Sequence, residues 1–183
     1  LDMWNQYFGE GCTIVGIDIM ERCLQYKYPD NVTVVIGDQG DPKFWDQFFA
    51  NNEDFDIIID DGGHSMQQQI VTLEKCFPHL NEGGILVVED THTSYFEGVA
   101  GVKGNRNTFI EYAKRTSDLP SKQFFKNTLV ADFVNNYKHL YSVSFYNSQV
   151  VFEKGNPGIR IVDNGTKDRG VNYDWVKQYD PED

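Results

Sequence analysis

Asp56-Ile57-Ile58-Ile59-Asp60-Asp61-Gly62-Gly63-His64 is the stretch that decides the fold. Three consecutive isoleucines leave no alternation between faces, so the run reads as a strand buried on both sides, as in a parallel sheet. It stops abruptly in carboxylates, and Ile85-Leu86-Val87-Val88-Glu89-Asp90 repeats the pattern downstream. In an open α/β sheet the ligand crevice lies just beyond the carboxyl ends of the strands. If the two runs are neighbours, Asp60, Asp61, His64, Glu89 and Asp90 meet at one rim.

Upstream, Thr13-Ile14-Val15-Gly16-Ile17 is a strand ending in Asp18, and Asn31 to Ile36 is the next, closed by Gly37-Asp38-Gln39. Apolar residues at helical spacing mark Leu1 to Phe8, a short helix falls around Glu21 to Tyr26, and Pro42 starts a helix bearing Phe44, Trp45, Phe48 and Phe49. Met66, Ile70, Leu73, Phe77 and Leu80 step along the face of another helix, and Asn81-Glu82-Gly83-Gly84 turns the chain into the second acidic strand. This cadence predicts an α/β fold with a doubly wound, Rossmann-like, mostly parallel sheet.

The pattern then changes. Thr91 to Asn107 is polar and long enough for a lid, and helices are expected near Asn107 to Thr116 and Ser121 to Tyr137. Tyr141 to Phe145 and Gln149 to Glu153 read as a C-terminal antiparallel hairpin. One domain is expected over 1–154, with a polar extension over 155–183 that carries a short strand at Ile159 to Val162. A doubly wound nucleotide fold opens with a strand and a glycine-rich turn. Here the expectation is that this first strand and loop are lacking.

The 183 residues suit a single domain with a sizeable core. A net charge of −12 argues against nucleic acid or an anionic membrane as partner. Cys12, Cys23 and Cys76 lack paired metal-ligand spacing and read as reduced, mostly buried thiols, which points to the cytosol. No apolar run reaches membrane-spanning length. The oligomeric state, including a homo-oligomer, stays open.

Asp18 fits the acidic residue that takes the ribose hydroxyls of adenosyl cofactors, with an ordinary strand-end aspartate as the plain alternative. Asp38 and Gln39 offer a carboxylate and an amide to an adenine edge, or simply form a turn. Asp61, Glu89 and Asp90 are three hard oxygen donors, which suits Mg²⁺ or Mn²⁺. Without a cation their mutual repulsion is costly in a partly dry crevice. His64 follows two glycines that let the backbone turn sharply, which sets an imidazole beside the metal as a general base. His92 is a second candidate at the same rim.

Taken together, Leu1-x-Met3-Trp4-x-x-Tyr7-Phe8, Gly16-Ile17-Asp18, Gly37-Asp38-Gln39, Asp60-Asp61-Gly62-Gly63-His64, Phe77-Pro78, Gly83-Gly84, Glu89-Asp90-Thr91-His92-Thr93-Ser94-Tyr95 and the closing Phe145 to Lys154 hairpin resemble a known family. It is that of the metal-dependent sugar O-methyltransferases, of the mycinamicin and tetracenomycin rhamnosyl type, with cephalosporin hydroxylase-like chains nearby. The resemblance runs from Leu1 to Lys154 and implies a class I S-adenosylmethionine-dependent methyltransferase. It further implies Mg²⁺ on Asp61, Glu89 and Asp90, with His64 as base. S-adenosylmethionine would lie against Asp18, Asp38, Gln39 and Asp60. A small-molecule or glycan acceptor would lie near His92, Thr93 and Tyr95. Three competing readings are a nicotinamide oxidoreductase, an iron oxygenase using His64 and His92, and a non-catalytic or truncated domain of a larger glycan-modifying protein.

Overall fold

The structure is a computed structural model that describes residues 1–124 and 131–155. The expected strand at Ile159 to Val162 and the C-terminal extension lie outside the described residues, save for Gly155. Helix α1 (Asp2–Phe8) leads into β1 (Ile14–Asp18), a 3₁₀ turn (Glu21–Gln25), β2 (Val32–Ile36), α2 (Pro42–Phe49), β3 (Phe55–Asp60), α3 (Met66–Cys76) and β4 (Leu80–Val88). Two 3₁₀ turns (Thr91–Tyr95 and Glu97–Val99) precede α4 (Phe109–Thr116). A further 3₁₀ turn (Leu119–Phe124), α5 (Ala131–Asn136) and the hairpin β5 (Leu140–Tyr146) and β6 (Gln149–Lys154) follow.

Local chemistry fixes the helix starts. Asp41 caps α2 by accepting from the Lys43 N–H, and Pro42 takes the first turn, where a missing N–H costs nothing. Ser65 and Gln68 form a reciprocal capping box that starts α3 immediately after His64. The expected turn at Asn81 to Gly84 lies inside β4 instead. There Gly83 has φ 84°, and the register shifts against β3 between Phe55 and Ile57.

The strands form two sheets. β1 pairs in parallel with β2, while the second sheet runs β3-β4-β6-β5, with β3 parallel to β4 and β6 antiparallel to both its neighbours. The fold is therefore mixed α/β, parallel up to β4 and antiparallel beyond it. Its core joins α2, α3, α4 and the second sheet through Trp45, Phe48, Leu73, Cys76, Leu86, Phe109 and Phe152. Cys12 and Cys23 are free and half-buried, and Cys76 is free and buried.

One expectation needs correction. β3 is not buried on both faces: Asp60 is buried, but Asp56 and Ile57 are exposed. The reason is lateral. Among the described residues, β1 and β3 each keep one edge unpaired, and both line a groove of about 900 Å³ together with Trp4, Phe8, Trp45 and Phe48. β4 and β6, each paired on both sides, fill the interior role. Among the described residues no helix is long and apolar enough to cross a membrane.

Candidate active site

Parallel pairing sets Asp60 opposite Val88, so the carboxylates that follow each strand come together at one rim. The ladder continues one step further, with the Glu89 N–H donating to the Asp60 carbonyl at 2.9 Å. Beyond it the chain turns at both strand ends through left-handed residues that are not glycine: His64 at φ 54° and Asp90 at φ 50°. Such backbones cost of order 1–3 kcal/mol and persist where the surroundings over-determine them.

The two glycines before His64 do not supply the left-handed turn. They supply close approach. A Cβ on Gly62 would meet Gln39 Oε1 at 1.7 Å, and one on Gly63 would meet the Gln68 amide at 2.4 Å. Gln39 fills this space with a complete set of bonds. Its Nε2 donates to Asp60 Oδ1 (2.8 Å) and Thr72 Oγ1 (3.1 Å), while its Oε1 accepts from the Gly63 N–H (2.7 Å).

The result is a three-residue cluster. One ligand atom each from Asp61, His64 and Asp90 lies within 4.8 Å of the others. His64 Nε2 stands 3.4 Å from Asp90 Oδ2 and 3.9 Å from Asp61 Oδ1. Nε2 is thus the nitrogen facing the cluster, and among the described residues Nδ1 of the same ring is buried without a partner. Two carboxylates that close to one another suit a hard divalent cation. Glu89 is adjacent but differently engaged, its Oε1 accepting from Gln149 Nε2 at 3.0 Å.

The remaining expected residues fall around this cluster. Asp60 is buried, with Oδ1 held by Gln39 and the Gly62 N–H and with Oδ2 lacking any donor. Burial raises its carboxyl pKa, and the two hydrogen bonds oppose that shift. Asp18, at the end of β1, accepts from the Met20 N–H at 2.8 Å. That bond, with help from the Cys23 thiol, lowers its pKa. Asp38 is exposed and accepts from the Gly40 N–H. His92 Nδ1 pairs with Ser148 Oγ at 2.5 Å, and its ring meets Phe96 edge-on. Tyr95 is exposed, whereas Thr93 is buried and bonded to backbone.

Three residues at this rim escape a reading of motifs. Gln69, fully buried, donates to the Glu89 carbonyl and leaves its Oε1 without a partner. Its signal was a glutamine on the buried face of an amphipathic helix. Gln149 and Ser148, at the hairpin turn, reach Glu89 and His92. Nothing in the sequence brings residues nearly 60 positions apart into contact except the β4–β6 pairing itself.

Comparison with known proteins fits this geometry. Residues 5–91 match a family model described as a methyltransferase domain. Demethylmacrocin O-methyltransferase of Streptomyces fradiae is 37% identical over 101 residues, 55% of this chain and 25% of that protein. L-olivosyl-oleandolide 3-O-methyltransferase of Streptomyces antibioticus is 36% identical over 122 residues, 64% of this chain and 31% of that protein. The mycinamycin biosynthetic methyltransferase MycE, solved with Mg, SAH and mycinamycin VI, superposes with a TM-score of 0.75 at 26% identity. That match covers 86% of this chain and 40% of MycE. The chain resembles the sugar O-methyltransferases, in sequence and in fold. The matches to these two Streptomyces relatives span only about a quarter to a third of their length.

Proposed function

We propose that this chain carries the catalytic domain of an S-adenosylmethionine-dependent, Mg²⁺-dependent O-methyltransferase that acts on a sugar hydroxyl of a glycoside, glycan or glycosylated metabolite. The observation that carries the reading is the meeting of Asp61, His64 and Asp90 within 4.8 Å beyond the ends of two parallel strands. The likeness to MycE, solved with Mg and SAH, supports it. A nicotinamide enzyme has no use for that cluster at this rim.

In this reading Asp61 and Asp90 hold the cation, with Glu89 beside them as the third carboxylate of the set. A bound cation lowers the pKa of an oxygen attached to it. His64 takes the acceptor proton on Nε2, which lies 3.4 Å from Asp90 Oδ2 at the edge of the cluster. Asp18 receives the ribose and Asp38 the adenine end of the cofactor. Asp60 and Gln39, bonded to each other at 2.8 Å, would form the floor between them. His92, Thr93 and Tyr95 border the acceptor side, Thr93 from within the backbone framework and Tyr95 from its exposed face. The compartment we infer is the cytosol, and the acceptor is a small molecule or glycan rather than nucleic acid.

The test is methyl transfer from labelled S-adenosylmethionine to a panel of glycosides, with and without EDTA. We expect chelation to abolish transfer and Mg²⁺ or Mn²⁺ to restore it. His64→Ala should lower the rate about 10²–10⁴-fold, the usual contribution of a positioned base. Full activity in EDTA removes the metal from the scheme, and full activity of His64→Ala removes the base.

A further inference from the structure

The two left-handed residues of the cluster share one hydroxyl. Thr93 Oγ1 lies 2.8 Å from the His64 carbonyl and 3.0 Å from the Asp90 carbonyl, within donating distance of both. The Thr93 N–H also donates to the Asp90 carbonyl, at 3.1 Å. Thr93 is only 8% exposed, so water does not compete for these bonds. Among the described residues, no other side chain is bonded to the backbones of both His64 and Asp90. The turn after β3 and the turn after β4 thus meet at a single buried oxygen.

We propose that Thr93 is a positioning residue that locks His64 and Asp90 at the separation the cation site needs. This rests on the metal-dependent reading given above. The argument is energetic and geometric. Each αL turn stores strain, and a strained residue relaxes toward ordinary φ values unless bonds on both sides hold it. Thr93 supplies that hold on the His64 side, where the imidazole Nδ1 is itself without a partner. Release of the His64 carbonyl lets the imidazole swing away from Asp90 and Asp61. The cost then falls on affinity for the cation, because partners that orient metal ligands typically contribute 10–100-fold in affinity. The role also separates Thr93 from its neighbours: His92 and Tyr95 present exposed side chains at the rim, while Thr93 acts from beneath it.

The experiment compares Thr93→Val, which keeps the shape and removes the hydroxyl, with Thr93→Ser, which keeps the hydroxyl. Mn²⁺ is the probe, and its dissociation constant is measured by titration of the free-ion electron paramagnetic resonance signal. Hydrogen exchange is read in parallel at the amides of residues 62–65. We expect Thr93→Val to weaken Mn²⁺ about 10-fold or more and to speed exchange at those amides, while Thr93→Ser stays within about threefold of the parent. Unchanged Mn²⁺ affinity in Thr93→Val overturns the proposal, as does an equal loss in Thr93→Ser. If the parent protein itself binds no Mn²⁺, the metal-dependent reading fails. The exchange data then decide the lock alone: unchanged exchange in Thr93→Val overturns it, and faster exchange restored by Thr93→Ser upholds it. Thermal melting of both variants checks that the fold persists.

Discussion

The two sheets are built to different standards. The four-stranded sheet buries Leu86, Val88, Val150 and Phe152 completely against α3 and α4. The two-stranded sheet packs Val15, Ile17 and Val35 against the core as partly buried residues, and Val32 is its one buried residue. Its β1 keeps an unpaired edge on the groove, and α1 beside it buries no residue at all. The difference maps onto chemistry. Every member of the acidic cluster belongs to the four-stranded half, while Asp18 and Asp38 hang on the other. In the proposed reading, the residues assigned to the cation and the proton are therefore held by a packed core, and those assigned to the cofactor rest on a thinner support.

The contrast is most directly broken by truncating one apolar side chain in each half to alanine. Leu86→Ala should cost about 2–5 kcal/mol, the range for a fully buried leucine. Val15→Ala should cost about 1 kcal/mol, since a half-buried valine loses at most part of two methylenes. Denaturant titration of both variants measures the gap. Hydrogen exchange adds the local view: amides of β1 and β2 should open well below the global unfolding energy, and those of β4 and β6 near it. Equal costs in the two halves would erase the distinction.

A smaller effect is expected at the joint between the halves. Gln39 follows β2, and its amide bonds Asp60 and Gly63 beyond β3 and Thr72 of α3. Gln39→Ala removes these bonds and leaves Asp60 with only the Gly62 N–H. The expected cost is about 1–3 kcal/mol, that of stranding buried polar groups. The same variant should broaden or shift the amide resonances of Gly62 and Gly63 more than those of Glu89 and Gln149. A uniform response across the rim would mean that Gln39 is not the brace.

Much of this was legible in the residues. Carboxylates closing two aliphatic runs located the rim, and the hairpin strands fell within a residue of their expected bounds, while β4 ended where expected but began at Leu80, ahead of the expected turn. Two kinds of information were not. The exposure of Ile57 depends on what lies beside β3, and strand composition reports only that a strand wants burial. Gln39 carries the second lesson. Its type and place after a strand fit a cofactor ligand, yet its hydrogen bonds are spent inside the protein. Motif reading identifies which polar groups converge, while the partner each one satisfies is set by packing. Likewise the sequence sets Glu89 beside Asp90, while packing gives its Oε1 a partner in Gln149.

The smallest effect, and the most specific, concerns Asp60. Its raised carboxyl pKa means that the folded protein binds this proton more tightly than the unfolded chain, whose ordinary value is 3.8. Stability from this group is therefore greatest below 3.8 and declines as pH rises toward the raised folded value, above which the ionised carboxylate stays as a standing cost. Asp60→Asn removes that titration while retaining an oxygen for Gln39 and the Gly62 N–H. The difference in unfolding free energy between Asp60→Asn and the parent should thus move in favour of the asparagine as pH increases from about 3 through the mildly acidic range. Chemical denaturation at a series of pH values reads it. A flat difference would show that Asp60 does not feel its burial. A difference of opposite sign would show that the donors from Gln39 and Gly62 outweigh desolvation, and would place Asp60 with the stabilising carboxylates of the better-packed half.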